Sequence, residues 1–182
     1  MTCIIGVVDQ GNVYIGGDSC ASDDNTSRPV RSPKIFTLES ASGDTMLIGY
    51  CESFRMGQIL AHDIILPLHP KKQSNIQYLH RSVLPNIRTA LRDGGQLTIE
   101  NNVESSGEFL IGYRGQLFLF QDDLSILEPT DQMTSIGCGT ECALGAMEAA
   151  IHLPAEERIL LALTITAKHV PRVMPPFIIQ HI

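Results

Sequence analysis

Apolar and β-branched residues run through Cys3-Ile4-Ile5-Gly6-Val7-Val8. After Gln10-Gly11-Asn12 the pattern returns as Val13-Tyr14-Ile15. Two short apolar runs separated by a turn signal predict a β-hairpin. Residues 21–33 are polar with two prolines and read as a loop. A strand is expected over Lys34-Ile35-Phe36-Thr37-Leu38, a turn at Ser42-Gly43-Asp44, and a fourth strand from Thr45 to Tyr50.

The period then lengthens. Phe54, Gly57, Leu60, Ala61, Ile64 and Ile65 recur at helical spacing, predicting a helix over 53–66 that Pro67 and Pro70 end. Ser74 is the expected N-cap of a second helix. Its stripe is Ile76, Leu79, Val83, Ile87, Ala90 and Leu91, with a kink expected at Pro85 and a stop at Gly94-Gly95. Strands return as Phe109–Tyr113 and Gln116–Phe120, joined by Arg114-Gly115, with a short strand over 132–136. A helix of small residues over 141–151 follows, and Pro154 opens another, with Glu156 and Glu157 suited to its positive N-terminal dipole. The last strand is Phe177-Ile178-Ile179.

Strands, two helices, strands, two helices and a strand can bury these faces as two sheets, each covered by a helical layer. No linker or repeat divides the 182 residues, so one domain spanning 1–182 is expected.

Charge narrows the function classes. A net charge of -7, with lysines and arginines scattered, argues against nucleic-acid binding. Runs such as Ile159–Leu163 are far short of the roughly 20 residues of a membrane span. The N-terminus carries no basic region before its apolar run, so a signal peptide is not expected. Five cysteines at irregular spacing fit reduced thiols in a cytoplasmic protein. Cys138 and Cys142 have no second CxxC or HxxxH to complete a zinc set, and no metal or cofactor is expected. The six histidines show no triad or metal spacing.

The chemistry-bearing pattern is at the start. Thr2 follows the initiator Met, Asp18 comes 16 residues later and Lys34 16 after that. Removal of Met1 leaves Thr2 with a free α-amine beside its hydroxyl, which then act as base and nucleophile. A lysine nearby lowers the hydroxyl pKa and an aspartate holds that lysine. An alternative reading of each residue is structural: a strand start, a turn acid and a surface lysine.

With Gly16-Gly17-Asp18-Ser19, Lys34-Ile35, Ile48-Gly49-Tyr50, Ile136-Gly137-Cys138-Gly139 and Ala143-Leu144-Gly145-Ala146, the chain resembles the proteasome β-type N-terminal-nucleophile hydrolases. These include the peptidase subunit of the bacterial HslVU protease. The resemblance covers essentially the whole chain. It implies an α+β fold, a four-layer αββα sandwich, and a threonine peptidase acting within a homo-oligomeric ring on peptide or unfolded-protein substrate. An ATP-dependent unfoldase is a candidate partner.

It also implies that Thr2, Asp18 and Lys34 are catalytic. Glu52 falls near the oxyanion-donor position, where the family usually has Gly, and Cys138 and Gly139 neighbour the amine. Cys20, Ser22, Arg31 and Ser53 are expected to line the pocket. The Asp and Ser that the family carries later should fall within 166–176, and this stretch offers neither. Two alternatives follow: a structural ring subunit without turnover, or a non-proteolytic amidohydrolase or transpeptidase of the same fold. Cys3, Cys20, Cys51 and Cys138 are expected to converge around Thr2, where a thiol of lowered pKa near Lys34 would make the site oxidant-sensitive.

Overall fold

In the computed structural model, which describes residues 2–23, 25–40 and 43–182, the first apolar run is strand β1 (Cys3–Asp9) and the second is β2 (Asn12–Gly17). Asp9 pairs with Asn12, leaving only Gln10 and Gly11 in the turn, at φ 49° and 82°. Two left-handed residues give the turn whose twist matches a hairpin.

The segment expected as a loop contains a small hairpin, β3 (Cys20–Ser22) and β4 (Ser27–Pro29). Asp23 Oδ1 accepts the N–H groups of Asn25 and Thr26 at 2.9 and 2.7 Å, an Asx turn that reverses the chain. Polar composition hides such a turn because the side chain, not a hydrophobic pattern, makes it. β5 (Ile35–Glu39) and β6 (Thr45–Tyr50) match expectation. Met1, Asp24 in the loop and Ser42 in the expected 42–44 turn lie outside the described residues.

Helix α1 (Phe54–His62) stops short of the expected residue 66. Pro67 biases Leu66 away from helical backbone and toward an extended path. That path sinks Leu66 into the core and turns Ile65 outward, against the helical period. Ser74 does cap the next helix, through a capping box with Gln77. The long helix is in three pieces: α2 (Asn75–Tyr78), a π-helical stretch over Leu79–Val83, and α3 (Leu84–Asp93). The Leu84 N–H reaches back to Leu79 O. The wider turn resets the ladder so that Pro85 sits at the start of α3, where its missing N–H is not needed.

A hairpin that the sequence pattern did not announce follows, β7 (Thr98–Glu100) and β8 (Val103–Ser105). β9 (Phe109–Tyr113) and β10 (Gln116–Phe120) have the expected bounds, and Arg114-Gly115 repeats the left-handed turn. β11 (Ile126–Leu127), β12 (Met133–Gly137), α4 (Thr140–Ala149), α5 (Ala155–His169) and β13 (Ile178–His181) complete the chain.

The main sheets are antiparallel, ordered β12-β1-β2-β13 and β11-β10-β9-β6-β5. Strand alternation assigns each side chain a face. From β1, Cys3, Ile5 and Val7 pack on Ala143, Met147, Ile159 and Leu163 of α4 and α5. Ile4 points the other way and meets Ile15, Leu47, Leu110 and Leu117, between the sheets. On the far side of the second sheet Ile48, Tyr50 and Phe118 pack with Ile59, Leu60, Ile87 and Leu91 of α1 and α3. Each such Ile or Leu contributes about 1.5–3 kcal/mol by burial, so a charge at Ile4 would break the contact between the sheets. Gly49 makes that contact close: a Cβ there would come within 2.8 Å of Ile4 and Ile15. No helix among the described residues is long and apolar enough to cross a membrane.

Candidate active site

Thr2 is buried just ahead of β1, and alternation puts it on the face of Ile4, toward the second sheet. Its strand is held from both sides. β2 brings Asp18 to its own end, because Ile4 pairs with Gly17. β12 brings Gly137 opposite Cys3. Gly137 has φ 90°, and a Cβ there would lie 2.3 Å from Thr2 O, so only glycine permits this approach.

The Asp18 carboxylate is the hub. Lys34 Nζ donates to both of its oxygens at 3.1 Å. Cys3 N donates to Oδ1 at 2.9 Å and Cys20 N to Oδ2 at 2.8 Å. The two charged side chains are 3% and 0% exposed. A buried ion pair is tolerated when its remaining hydrogen-bonding capacity is filled, and two backbone N–H groups do that here. The cation is thereby tied to the backbone immediately after Thr2. Lys34 Nζ also lies 5.8 Å from the centre of the Phe54 ring.

Cys138 is an exposed thiol that donates to Thr2 O at 3.5 Å. Gly139 is buried at the N-cap of α4, and a Cβ there would press on Cys3 and Thr166. Thr166 is the hydroxyl of the 166–176 stretch. It is fully buried, and its Oγ1 has no partner among the described residues.

Glu52 is exposed and left-handed (φ 70°) in a tight reversal where Ser53 N donates to Cys51 O at 3.1 Å. Left-handed backbone explains why glycine suits this place. Cys51 Sγ and the carboxylates of Glu52 and Glu108 all lie within 4.8 Å of one another. Burial, then the Glu52 charge, pushes the Glu108 pKa up. Sequence reading missed Glu108, which lies 56 residues from Glu52; the Cys51 N–H donates to Glu108 O at 3.2 Å and joins them.

The cysteine expectation divides. Cys51 and Cys138 lie beside the Thr2 backbone, whereas the Cys3 side chain turns to α4 and α5 and Cys20 meets the site through its N–H on Asp18. The Cys3 and Cys51 thiols are not lowered, however: burial pushes both up to about 12, and Asp18 adds to this at Cys3 and Glu52 at Cys51. The Cys3 thiol also faces α4 and α5, on the side of the sheet away from Thr2 and Ile4.

The expected pocket residues are spread out. Cys20 is buried, with its N–H on Asp18, and Ser22 is half-buried in β3. Ser53 caps α1 by accepting the Met56 N–H and donates to Gln96. Arg31 lines a cavity of about 280 Å³ with Asp18, Lys34, Pro176 and Ile178. A second cavity, of about 290 Å³, lies across the Ser32-Pro33 ridge, walled by Phe36, Tyr50, Phe54 and Gln58. Its aromatic wall was visible in the sequence only as core pattern.

The Thiobacillus denitrificans BPH structure is 21% identical, with a TM-score of 0.79 over 99% of this chain and 97% of that one. A further structure is described as that protein in complex with epoxomicin. HslV from Trypanosoma brucei is 13% identical, with a TM-score of 0.67 over 98% of each chain. This chain has the HslV- and proteasome-like N-terminal-nucleophile fold. The Anbu complex of Pseudomonas aeruginosa, described as a helical assembly, is 12% identical with a TM-score of 0.69 over 99% of this chain and 80% of that one. No protein-family model and no curated protein sequence matches the chain.

Proposed function

We propose that this protein is a threonine-type peptidase, a single domain over residues 1–182 built as a four-layer αββα sandwich and acting in a homo-oligomeric ring on peptide or unfolded protein. The observation that carries this reading is the buried Asp18–Lys34 pair, bound through Asp18 to the Cys3 N–H beside Thr2.

Removal of Met1 frees the Thr2 amine, whose ordinary pKa near 8 suits a base at neutral pH. Thr2 Oγ attacks the substrate carbonyl while its proton passes to that amine. The Lys34 charge favours the alkoxide form, and Asp18 holds Lys34. The Glu52 N–H, at the entry to α1, donates to the oxyanion. The tetrahedral adduct collapses, and the departing amine takes the proton from the Thr2 ammonium. The ester left on Thr2 is opened by water through the reverse relay, giving a carboxylic acid and free Thr2. The aromatic cavity across Ser32-Pro33 offers an apolar place for a substrate side chain.

The epoxomicin complex of the BPH relative supports using a peptide epoxyketone as probe, and the helical Anbu assembly supports oligomerisation in this fold. The test is intact mass before and after epoxyketone treatment, with hydrolysis of fluorogenic peptides. Loss of the Met1 mass, one adduct on Thr2 and peptide turnover are expected. Retained Met1 with no adduct and no turnover would overturn the reading in favour of a non-catalytic subunit.

A further inference from the structure

Helix α3 separates a largely polar groove with one exposed apolar edge from an exposed apolar hairpin. On one flank a groove of about 590 Å³ runs between α1 and α3, lined by Arg55, Asp63, Ile65, Asn86 and Asp93 among others. Ile65 is 81% exposed, and Leu68 beyond it 65%. On the other flank stands the β7–β8 hairpin, with Ile99 63% and Val103 59% exposed. A forked Arg88–Glu104 ion pair fastens that hairpin to α3. At about 100° per residue Asn86, Thr89 and Asp93 share one strip, and Arg88 lies roughly 150° round the axis. Ile87 and Leu91, between them, face the core. The groove is concave, the hairpin protrudes, and they lie on opposite flanks of one helix.

We propose that the β7–β8 hairpin of one copy seats in the α1–α3 groove of the next, in a head-to-tail contact between copies of this chain. Several features of the two surfaces select a second copy as occupant. The groove offers an apolar edge and the Arg55 cation, which has no acidic partner among the described residues. The hairpin offers Ile99, Val103 and the exposed Glu100, which likewise has no basic partner there. At its tip Asn101 and Asn102, at φ 50° and 64°, present amide donors suited to Asp63. The hairpin is already fixed by Arg88, so little ordering entropy opposes docking. Because the surfaces lie on opposite flanks, a chain cannot fill its own groove. The contact is therefore heterologous and propagates into a closed ring or a helix. This deepens the assembly part of the proposed function and is independent of its chemistry.

The test uses the full chain with Ile99→Asp, which spoils the hairpin, and Ile65→Asp, which spoils the groove. Both sites are exposed, so each variant should keep the wild-type circular dichroism at 25 °C; the milder Ile99→Ser and Ile65→Ser replace any variant that does not. Sedimentation velocity should show wild-type oligomers and a monomer for each variant. An equimolar mixture of the two variants should give dimers, because each supplies the surface the other lacks. A monomeric wild type, variants that assemble like wild type, or monomeric variants that stay monomeric when mixed would each overturn the proposal. Peptide cleavage is not read, so a catalytically silent chain gives the same answer.

Discussion

Asp18 receives the Lys34 ammonium on both carboxylate oxygens at 3.1 Å, and one of those oxygens also holds the Cys3 N–H at 2.9 Å. This three-way arrangement makes the pair both a structural tie and the electrostatic centre of the candidate site. Removing one partner strands the other as a buried charge.

Lys34→Met and Asp18→Asn should therefore each lose about 3–5 kcal/mol of stability. The double variant should lose less than the sum, because it leaves no unpaired charge. Urea melts of the three variants check this. Equal, additive losses would show that the two groups are independent.

Thr2→Ala should abolish the epoxyketone adduct and lower peptide turnover by at least about 10³-fold, the scale of losing a nucleophile. Its melting temperature should fall only slightly, since the substitution removes just one hydroxyl and one methyl from a buried position. Thr2→Ser should keep the adduct. Undiminished turnover in Thr2→Ala would place the chemistry elsewhere.

Gly137→Ala adds a Cβ 2.3 Å from Thr2 O at a φ of 90°. The left-handed strain alone should cost about 1–3 kcal/mol. The clash should also push the Thr2 backbone away from Asp18, so turnover should fall further than stability predicts. A crystal structure showing Thr2 unmoved would refute the second part.

Glu108 gives a pH signature. Its folded pKa is raised, first by burial and then by Glu52 and Asp122. A raised pKa means that the folded chain holds this proton more tightly than the unfolded chain. The stabilisation is present below the unfolded pKa and disappears as pH rises through the folded value. Glu108→Gln should thus melt higher than wild type at pH 7 and lose that advantage near pH 4. Thermal melts across this range check the sign.

Glu52 adopts a φ of 70° on an exposed residue. Glu52→Gly should stabilise by about 0.5–1 kcal/mol, the relief of left-handed strain less the chain entropy glycine adds. It should also raise turnover, by removing a carboxylate beside the oxyanion position. Slower turnover with unchanged stability would assign the carboxylate a helpful role.

The sequence by itself determined the long strands of the two main sheets and most helices, because burial on one or two faces writes itself as period: β6, β9 and β10 have the bounds their apolar runs predict. Ser74 named its own cap, and the 16-residue spacings marked Thr2, Asp18 and Lys34 as candidates, since local chemistry and a known resemblance are both carried in linear order.

Tertiary structure alone decided what depends on distant partners. It shortened α1 so that Leu66 could be buried, and resolved Pro85 with a π turn rather than a kink. It joined Glu108 to Glu52, showed that burial outweighs any cationic influence on the Cys3 and Cys51 thiols, and raised β7–β8 beside α3 as an exposed apolar ridge. The physical reason is common to all of these. Desolvation, ion pairing and close packing act between residues that are neighbours in space, and a linear pattern records which face a residue turns inward but not what it meets there.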